Sequence, residues 1–289
     1  MAMAVQQMHP IAHLPLVLGV LRRLEVATVI DRLIPPHPAH VLSCGRGVEA
    51  LVLAMLDGDH ALYKVGKRLE ERGMVALLKP GLTRASLNDY RLGHILEALF
   101  AANLNQVYSA IVLKALAVYT ISTPWVHQDT TTMAFYGAYA AAPQTPGAPR
   151  PAYGQSKDGR DDLKQVLLSL GVTGDGGIPL RVGMRDGNRS ESVETPLALE
   201  ECLALGVEGM RGIVADSKAS SRRTLGLCLE HKIGLVTLVP RTCAVRQALE
   251  AWGQPQLALP LFVEKPGRTK AEVPRRWHGQ SVMRQVEVE

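Results

Sequence analysis

At 289 residues the chain is long enough for two domains, because a single hydrophobic core rarely grows past roughly 250–300 residues. Hydrophobic content of 47% against 20% charged residues excludes a disordered chain, since that much apolar surface can offset the entropy of ordering. A net charge of +5 and a pI near 9.1 admit a polyanionic partner without requiring one.

Cys44, Cys202, Cys228 and Cys243 form no CxxC pair. That spacing speaks against a zinc ribbon or redox motif and for idle or buried thiols. The N-terminus lacks a basic region leading into a continuous apolar core and a small-residue cleavage site. No apolar run approaches the roughly eighteen residues that span a bilayer. The expectation is a soluble, cytoplasmic protein without a membrane partner.

Residues 13–34 place Leu, Val and Ile at helical spacing up to Pro35 and Pro36, which predicts two short helices. His9 and His13 stand four apart, but Pro10 between them and the lack of a third ligand argue against a metal site. Ser43 is placed to cap a helix that ends at Gly58. Tyr63 to Arg72 reads as a further helix with a basic face. Thr83 or Ser86 then opens one whose apolar face carries Leu87, Tyr90, Leu92, Ile95, Leu96 and Leu99. Asn105 to Tyr119 adds another. Residues 1–120 therefore form an expected all-α domain, with DNA binding one use for its basic faces. A solvated face is the commoner explanation, and no helix-turn-helix pattern names a recognition helix.

The pattern changes near Thr123. Trp125 to Tyr136 surrounds Asp129 with large and β-branched residues and reads as a buried strand. A carboxylate there needs a partner, which a metal ion, an arginine or backbone amides at a strand end would supply. Gly212 to Ser217 is a second short apolar run delivering one acid, Asp216. Two such strands suggest a divalent-metal site, and a strand-end aspartate capping the next turn is the plain alternative for each. Between them lie a loop from Ala138 to Pro151 and a charged segment from Tyr153 to Gln165. Strands from Val166 and Ile178 flank the Gly174-Asp175-Gly176-Gly177 turn, which lacks the Gly-Lys-Ser/Thr ending of a phosphate loop. Helices at 195–205 and 217–231 alternate with strands at 212–216 and 233–239. Extended pieces are expected at 257–264 and 280–288.

This order, with acids on the first and fourth strands, resembles the ribonuclease H-like fold of the DDE transposases. His127-Gln128-Asp129-Thr130-Thr131 resembles the first catalytic-aspartate motif of bacterial transposases in the insertion-sequence-four superfamily. Tyr153-Gly154-Gln155-Ser156-Lys157-Asp158, with Asp162-Leu163-Lys164-Gln165, resembles a Gly-x-Ser-Lys-Asp-x-Arg-Pro-Asp-Leu-Lys-Gln segment of one branch, with Asp161 in place of Pro. Gly187-Asn188, Ser190-Glu191 and Val214-Ala215-Asp216-Ser217 resemble the segments before and around the second aspartate. Leu87 to Gly93 resembles a motif of the preceding helical domain.

The resemblance implies an α+β chain: a helical N-terminal domain at 1–120, part of a ribonuclease H-like core at 121–242, and the start of an inserted β region at 243–289. It implies Asp129 and Asp216 as catalytic metal ligands for Mg²⁺, with Mn²⁺ as a substitute, and two-metal phosphoryl transfer at insertion-sequence ends. It implies DNA carrying terminal inverted repeats as partner, and leaves a homodimer open. Lys157, Arg160 and Lys164 are candidate phosphate contacts, weighed equally against ion pairs with Asp158, Asp161 and Asp162. His127 shares a strand face with Asp129, and packing beside the site is its expected role. One element of the family pattern is missing. The third acid, a Glu in a Tyr-x2-Arg-x3-Glu-x6-Lys signature, has no counterpart after Asp216, where tyrosine is absent and Glu264, Glu272, Glu287 and Glu289 stand outside any such pattern. The sequence thus reads as an N-terminal fragment of a transposase, inactive alone. The alternatives are a non-catalytic regulator that binds DNA or full-length transposase and, further off, a metal-dependent nuclease.

Overall fold

The computed structural model describes residues 10–58, 61–137, 139, 146–206, 209–244, 246–247, 261–265 and 275–278. The chain divides into two compact units, Met1–Ser122 with Asp175–Arg181, and Thr123–Gly174 with Val182–Glu289.

The first unit is helical: α1 Leu14–Arg23, α2 Val26–Leu33, α3 Cys44–Leu56, α4 Leu62–Glu71, α5 Val75–Leu78, α6 Asp89–Ala101 and α7 Leu104–Tyr119. Polar caps set several of the starts. Ser43, Asn88 and Asn103 each accept from a backbone N–H in the first turn of α3, α6 and α7, satisfying donors that the helix cannot. Leu14, Ile30, Leu53, Leu69, Leu87 and Leu92 close the core with almost no exposed surface. Helices α2 and α3 meet backbone to backbone at Gly45, where a Cβ would fall 2.3 Å from the Ala27 carbonyl oxygen. The Gly45 N–H donates to Asp31 Oδ1 at 2.7 Å and pins that contact.

The helix expected from Thr83 or Ser86 is broken. Thr83 and Ser86 form a capping box on a 3₁₀ turn, Arg84–Leu87, and Asn88 restarts the chain as α6. Leu87 is buried in the turn, while Tyr90, assigned to the apolar face, is 74% exposed. His13 precedes α1, and His9 lies outside the described residues. Cys44, Cys202 and Cys228 are buried free thiols. Burial and the nearby Asp31 carboxylate push the Cys44 thiol up to about 11. No single helix among the described residues is long and apolar enough to cross a membrane.

The second unit is built on β1 Trp125–Phe135, β2 Lys164–Thr173, β3 Pro179–Asp186, β4 Gly212–Ala215 and β5 Gly234–Val236, with helices α8 Glu191–Ala204 and α9 Arg222–Glu230. The sheet order is β3-β2-β1-β4-β5. β1 is antiparallel to β2 and parallel to β4, and β4 is parallel to β5. This mixed sheet with flanking helices is the ribonuclease H-like arrangement. At the β2–β3 hairpin Gly176 and Gly177 both take positive φ, +72° and +63°, a pair of conformations open to glycine at little cost. α8 begins at Glu191, four residues before Thr195, because Glu191 and Glu194 supply acid to its first turn. The helix expected at 217–231 is split into a 3₁₀ turn, Ser217–Ala219, and α9, capped by Asp216 and Ser221. β6 Leu261–Lys265 and β7 Arg275–His278 form a separate antiparallel pair. The extended piece expected at 280–288 lies outside the described residues, as do Glu272, Glu287 and Glu289.

Candidate active site

β1 alternates strictly. Val126, Gln128, Thr130 and Thr132 are buried, while His127, Asp129, Thr131 and Met133 face solvent. α8 lies over the buried face, where a Cβ on Gly171 of β2 would sit 3.3 Å from Cys202 Sγ and 3.2 Å from Gln128 Oε1. Asp129 is therefore on the open face, with its side chain 79% exposed. The reading of a buried charge in need of a partner is corrected: the strand is covered on one side only, and Asp129 belongs to the other. His127 shares that open face.

The parallel register pairs Val126 with Ile213, His127 with Val214 and Gln128 with Ala215. Asp129 and Asp216 are the residues that directly follow the last pair of this register, Gln128 with Ala215. Asp216 has extended backbone, φ −70° and ψ −177°, and the parity of Val214, so it belongs to the same open face. Asp216 also caps the next turn, accepting from the Lys218 N–H at 3.0 Å through Oδ1. The cap and a ligand role are compatible, because Oδ2 makes no hydrogen bond among the described residues. Thr237 donates its hydroxyl to the Asp216 carbonyl oxygen and fixes this corner from the β5 side.

Residues 152–158 run as a strap from the end of β3, where Ala152 bridges Gln165 of β2, to Thr132 and Thr130 of β1. Its anchors are glycines. A Cβ on Gly154 would fall 2.3 Å from the Gly187 carbonyl oxygen, and one on Gly187 would fall 1.8 Å from that of Gln165. Gln165, 2% exposed, donates its side-chain amide to the carbonyl oxygens of Gln155 and Gly187, at 3.2 and 3.1 Å. Main-chain bonds between Ala152 and Gln165, at 2.9 and 3.0 Å, complete the seam.

The strap delivers Lys157. Its backbone N–H donates to Thr132 Oγ1 at 3.2 Å. Its ammonium donates to the Thr130 carbonyl oxygen and to Thr130 Oγ1, pairs with Glu191 at 2.8 Å, and reaches Asp129 Oδ1 at 3.5 Å. Thr130 Oγ1 in turn donates to Glu191. Partial burial opposes the charge on Lys157, but Glu191 and Asp129 outweigh it and raise its pKa above the ordinary lysine range. Burial likewise opposes the Glu191 carboxylate, and the hydrogen bonds from Lys157 and Thr130, with Lys218 further off, hold it below the usual range.

Of the three candidate phosphate contacts, Arg160 makes the ion pair expected of it, with Asp162 through two 2.8 Å bonds. Lys157 bypasses the neighbouring aspartates for Glu191 and Asp129. Lys164 donates to the Tyr139 carbonyl oxygen at 3.3 Å and lies over the Tyr153 ring. Asp161 instead accepts the Ser156 N–H at 2.8 Å. Glu191 escaped assignment as a site residue, although it lies inside the quoted Ser190-Glu191 motif. A partner for the Lys157 ammonium was the signal that could have found it.

The donor set fits a hard, hydrated cation. Two carboxylates, both open to water, suit Mg²⁺, which keeps several waters and takes few protein ligands. Among the described residues no three His, Cys, Asp or Glu side chains converge as a ligand group.

A family profile described as Domain of unknown function (DUF4277) matches residues 6–113. No curated protein matches the chain. Among solved structures, the chain is similar to one titled "Mos1 transposase paired-end complex with left transposon end", at 9% identity and a TM-score of 0.26. That alignment covers 72% of this chain, which spans 62% of the length of the other. The ribonuclease H-like assignment rests on strand order and register rather than on that superposition.

Proposed function

We propose that this chain carries part of a DDE transposase site, with Asp129 and Asp216 as metal-binding carboxylates acting on DNA ends. The observation that supports the reading is the parallel β1–β4 register, whose last pair, Gln128 with Ala215, directly precedes both acids. Their segments also resemble the family's two aspartate motifs. Mg²⁺ held there would activate a water or 3′-hydroxyl and stabilise the leaving oxygen in an in-line displacement at phosphorus. Asp129 and Asp216 supply the negative ligands, and Lys157 restrains Asp129 from one side. Glu191 holds the Lys157 ammonium, so it is a positioning residue. DNA with terminal inverted repeats is the proposed partner.

A pair of carboxylates binds divalent cations weakly, so activity of this chain alone is expected to be low. That favours, as second reading, a regulator that binds DNA or an intact transposase without cutting. The two separate in one experiment on duplexes carrying the terminal repeats. Mg²⁺-dependent nicking that disappears in Asp129→Ala supports the catalytic reading. Binding without nicking, unchanged by Asp129→Ala, supports the regulator.

A further inference from the structure

The helical unit contains a cavity of about 620 Å³, lined by no residue of the candidate active site. That volume lies within the range of small-molecule pockets. Rings form part of its wall. The turn after α2 contributes His37 and His40, with ring centroids 5.2 Å apart. α6 contributes Tyr90 and His94, edge to face at 4.4 Å. Tyr90 is 74% exposed, so its ring adds nothing to the core of the fold. Arg91 lies between them in sequence and lines the same cavity, and among the described residues its side chain has no hydrogen bond or ion pair. On α6, Glu97 is taken up by His94 at 2.9 Å.

We infer that this cavity binds a nucleotide of single-stranded DNA, its base stacked on the Tyr90 ring and its phosphate on Arg91. The inference rests on the reading of the chain as a DNA-handling protein. Its chemistry is local: π faces accept any base, and an unpartnered guanidinium accepts a phosphate. An apolar side chain of a protein partner would leave Arg91 without a use. The histidines do not converge as metal ligands among the described residues.

The test uses the full chain without added metal and a thymidine oligonucleotide carrying one 2-aminopurine. Binding is expected to quench its fluorescence. Tyr90→Ala should abolish the quenching and weaken binding by roughly tenfold, within the range for loss of one base–aromatic stack, whereas Tyr90→Phe keeps both. Arg91→Gln should flatten the salt dependence by about 0.7 in log–log slope. Because Tyr90 is exposed, neither variant threatens the fold, and unchanged circular dichroism verifies this. Quenching unaffected by Tyr90→Ala would overturn the proposal and leave the cavity to another occupant. Equal quenching in a duplex of the same sequence, or equal affinity for free dAMP, would overturn the single strand as source. These readings are taken without metal, whereas nicking requires Mg²⁺, so a failed nicking assay and a failed pocket remain distinguishable.

Discussion

Asp129 and Glu191 share one ammonium, and that competition sets what a cation would meet at the site. Lys157 is a positive charge 3.5 Å from Asp129 Oδ1, so removing it should help a divalent ion bind. Lys157→Met is expected to raise Mn²⁺ affinity about two- to fivefold, the scale of a partly exposed charge pair. Glu191→Gln should do the reverse, because the ammonium then settles wholly on Asp129. Titration of free Mn²⁺ by electron paramagnetic resonance reads both, and shifts of the same sign in the two variants would sink the account. The strap that carries Lys157 is equally sensitive. An alanine at 187 would put its Cβ 1.8 Å from one backbone carbonyl oxygen and 2.6 Å from another. No rotamer change relieves a clash with main chain, so Gly187→Ala should cost about 3 kcal/mol, the upper end for overpacking. In α9, Gly226 has nothing within 4 Å of its added Cβ. Gly226→Ala should instead stabilise by about 0.5–1 kcal/mol. Urea unfolding midpoints of the two variants should move in opposite directions.

At the scale of elements, the join between α3 and α4 is electrostatic. Asp57, the residue capping the C-terminus of α3, is 4% exposed in its side chain and faces two guanidinium groups. Arg72 binds it twice, at 2.9 and 3.0 Å, and Arg68 binds it as well. Burial alone would raise the carboxyl, but the hydrogen bonds from Arg72 and Arg68 outweigh it and hold the pKa below the usual range. A depressed folded value means the stabilisation is fully present above the unfolded value, near ~3.9, and is lost as pH falls through the folded one. Asp57→Asn should therefore cost about 2–3 kcal/mol at neutral pH, leaving two part-buried cations without a counter-charge. The deficit should shrink below about pH 4, which thermal melts across pH would show; a constant deficit would rule the pairing out as its cause. None of this join was legible in the sequence, because Asp57 and Arg72 read singly as a helix end and a wet face. The helices α1 to α4 were legible, since apolar spacing and the Ser43 cap agree. The break at Asn88 was hidden, because a 3₁₀ turn and the helix after it share one apolar period. On β1, the run of large residues concealed an alternation in which Val126, Gln128, Thr130 and Thr132, rather than His127 and Met133, fill the covered face.

At the scale of the molecule, the mixed sheet with flanking helices was readable from the order of strands and helices, whereas the Lys157–Glu191 contact was not. It depends on glycine-to-glycine packing of a strap against the end of β3, a contact that no local spacing encodes. The same geometry governs how the chain meets polyanions. Its net charge of +5 is modest, and the cations of the strap are already engaged. Arg160 is held by Asp162 through two 2.8 Å bonds, so a DNA phosphate must displace a carboxylate to bind there. Arg160→Gln alone should then change affinity little. Asp162→Asn, by contrast, frees the guanidinium without altering its place. Each added phosphate contact releases counterions and steepens the log–log dependence of duplex binding on salt by about 0.9. Asp162→Asn should tighten binding most at about 50 mM salt and lose most of that advantage by about 200 mM, as fluorescence anisotropy would record. A slope equal to that of the parent would mean that Arg160 does not face the duplex, and would remove it from the phosphate contacts.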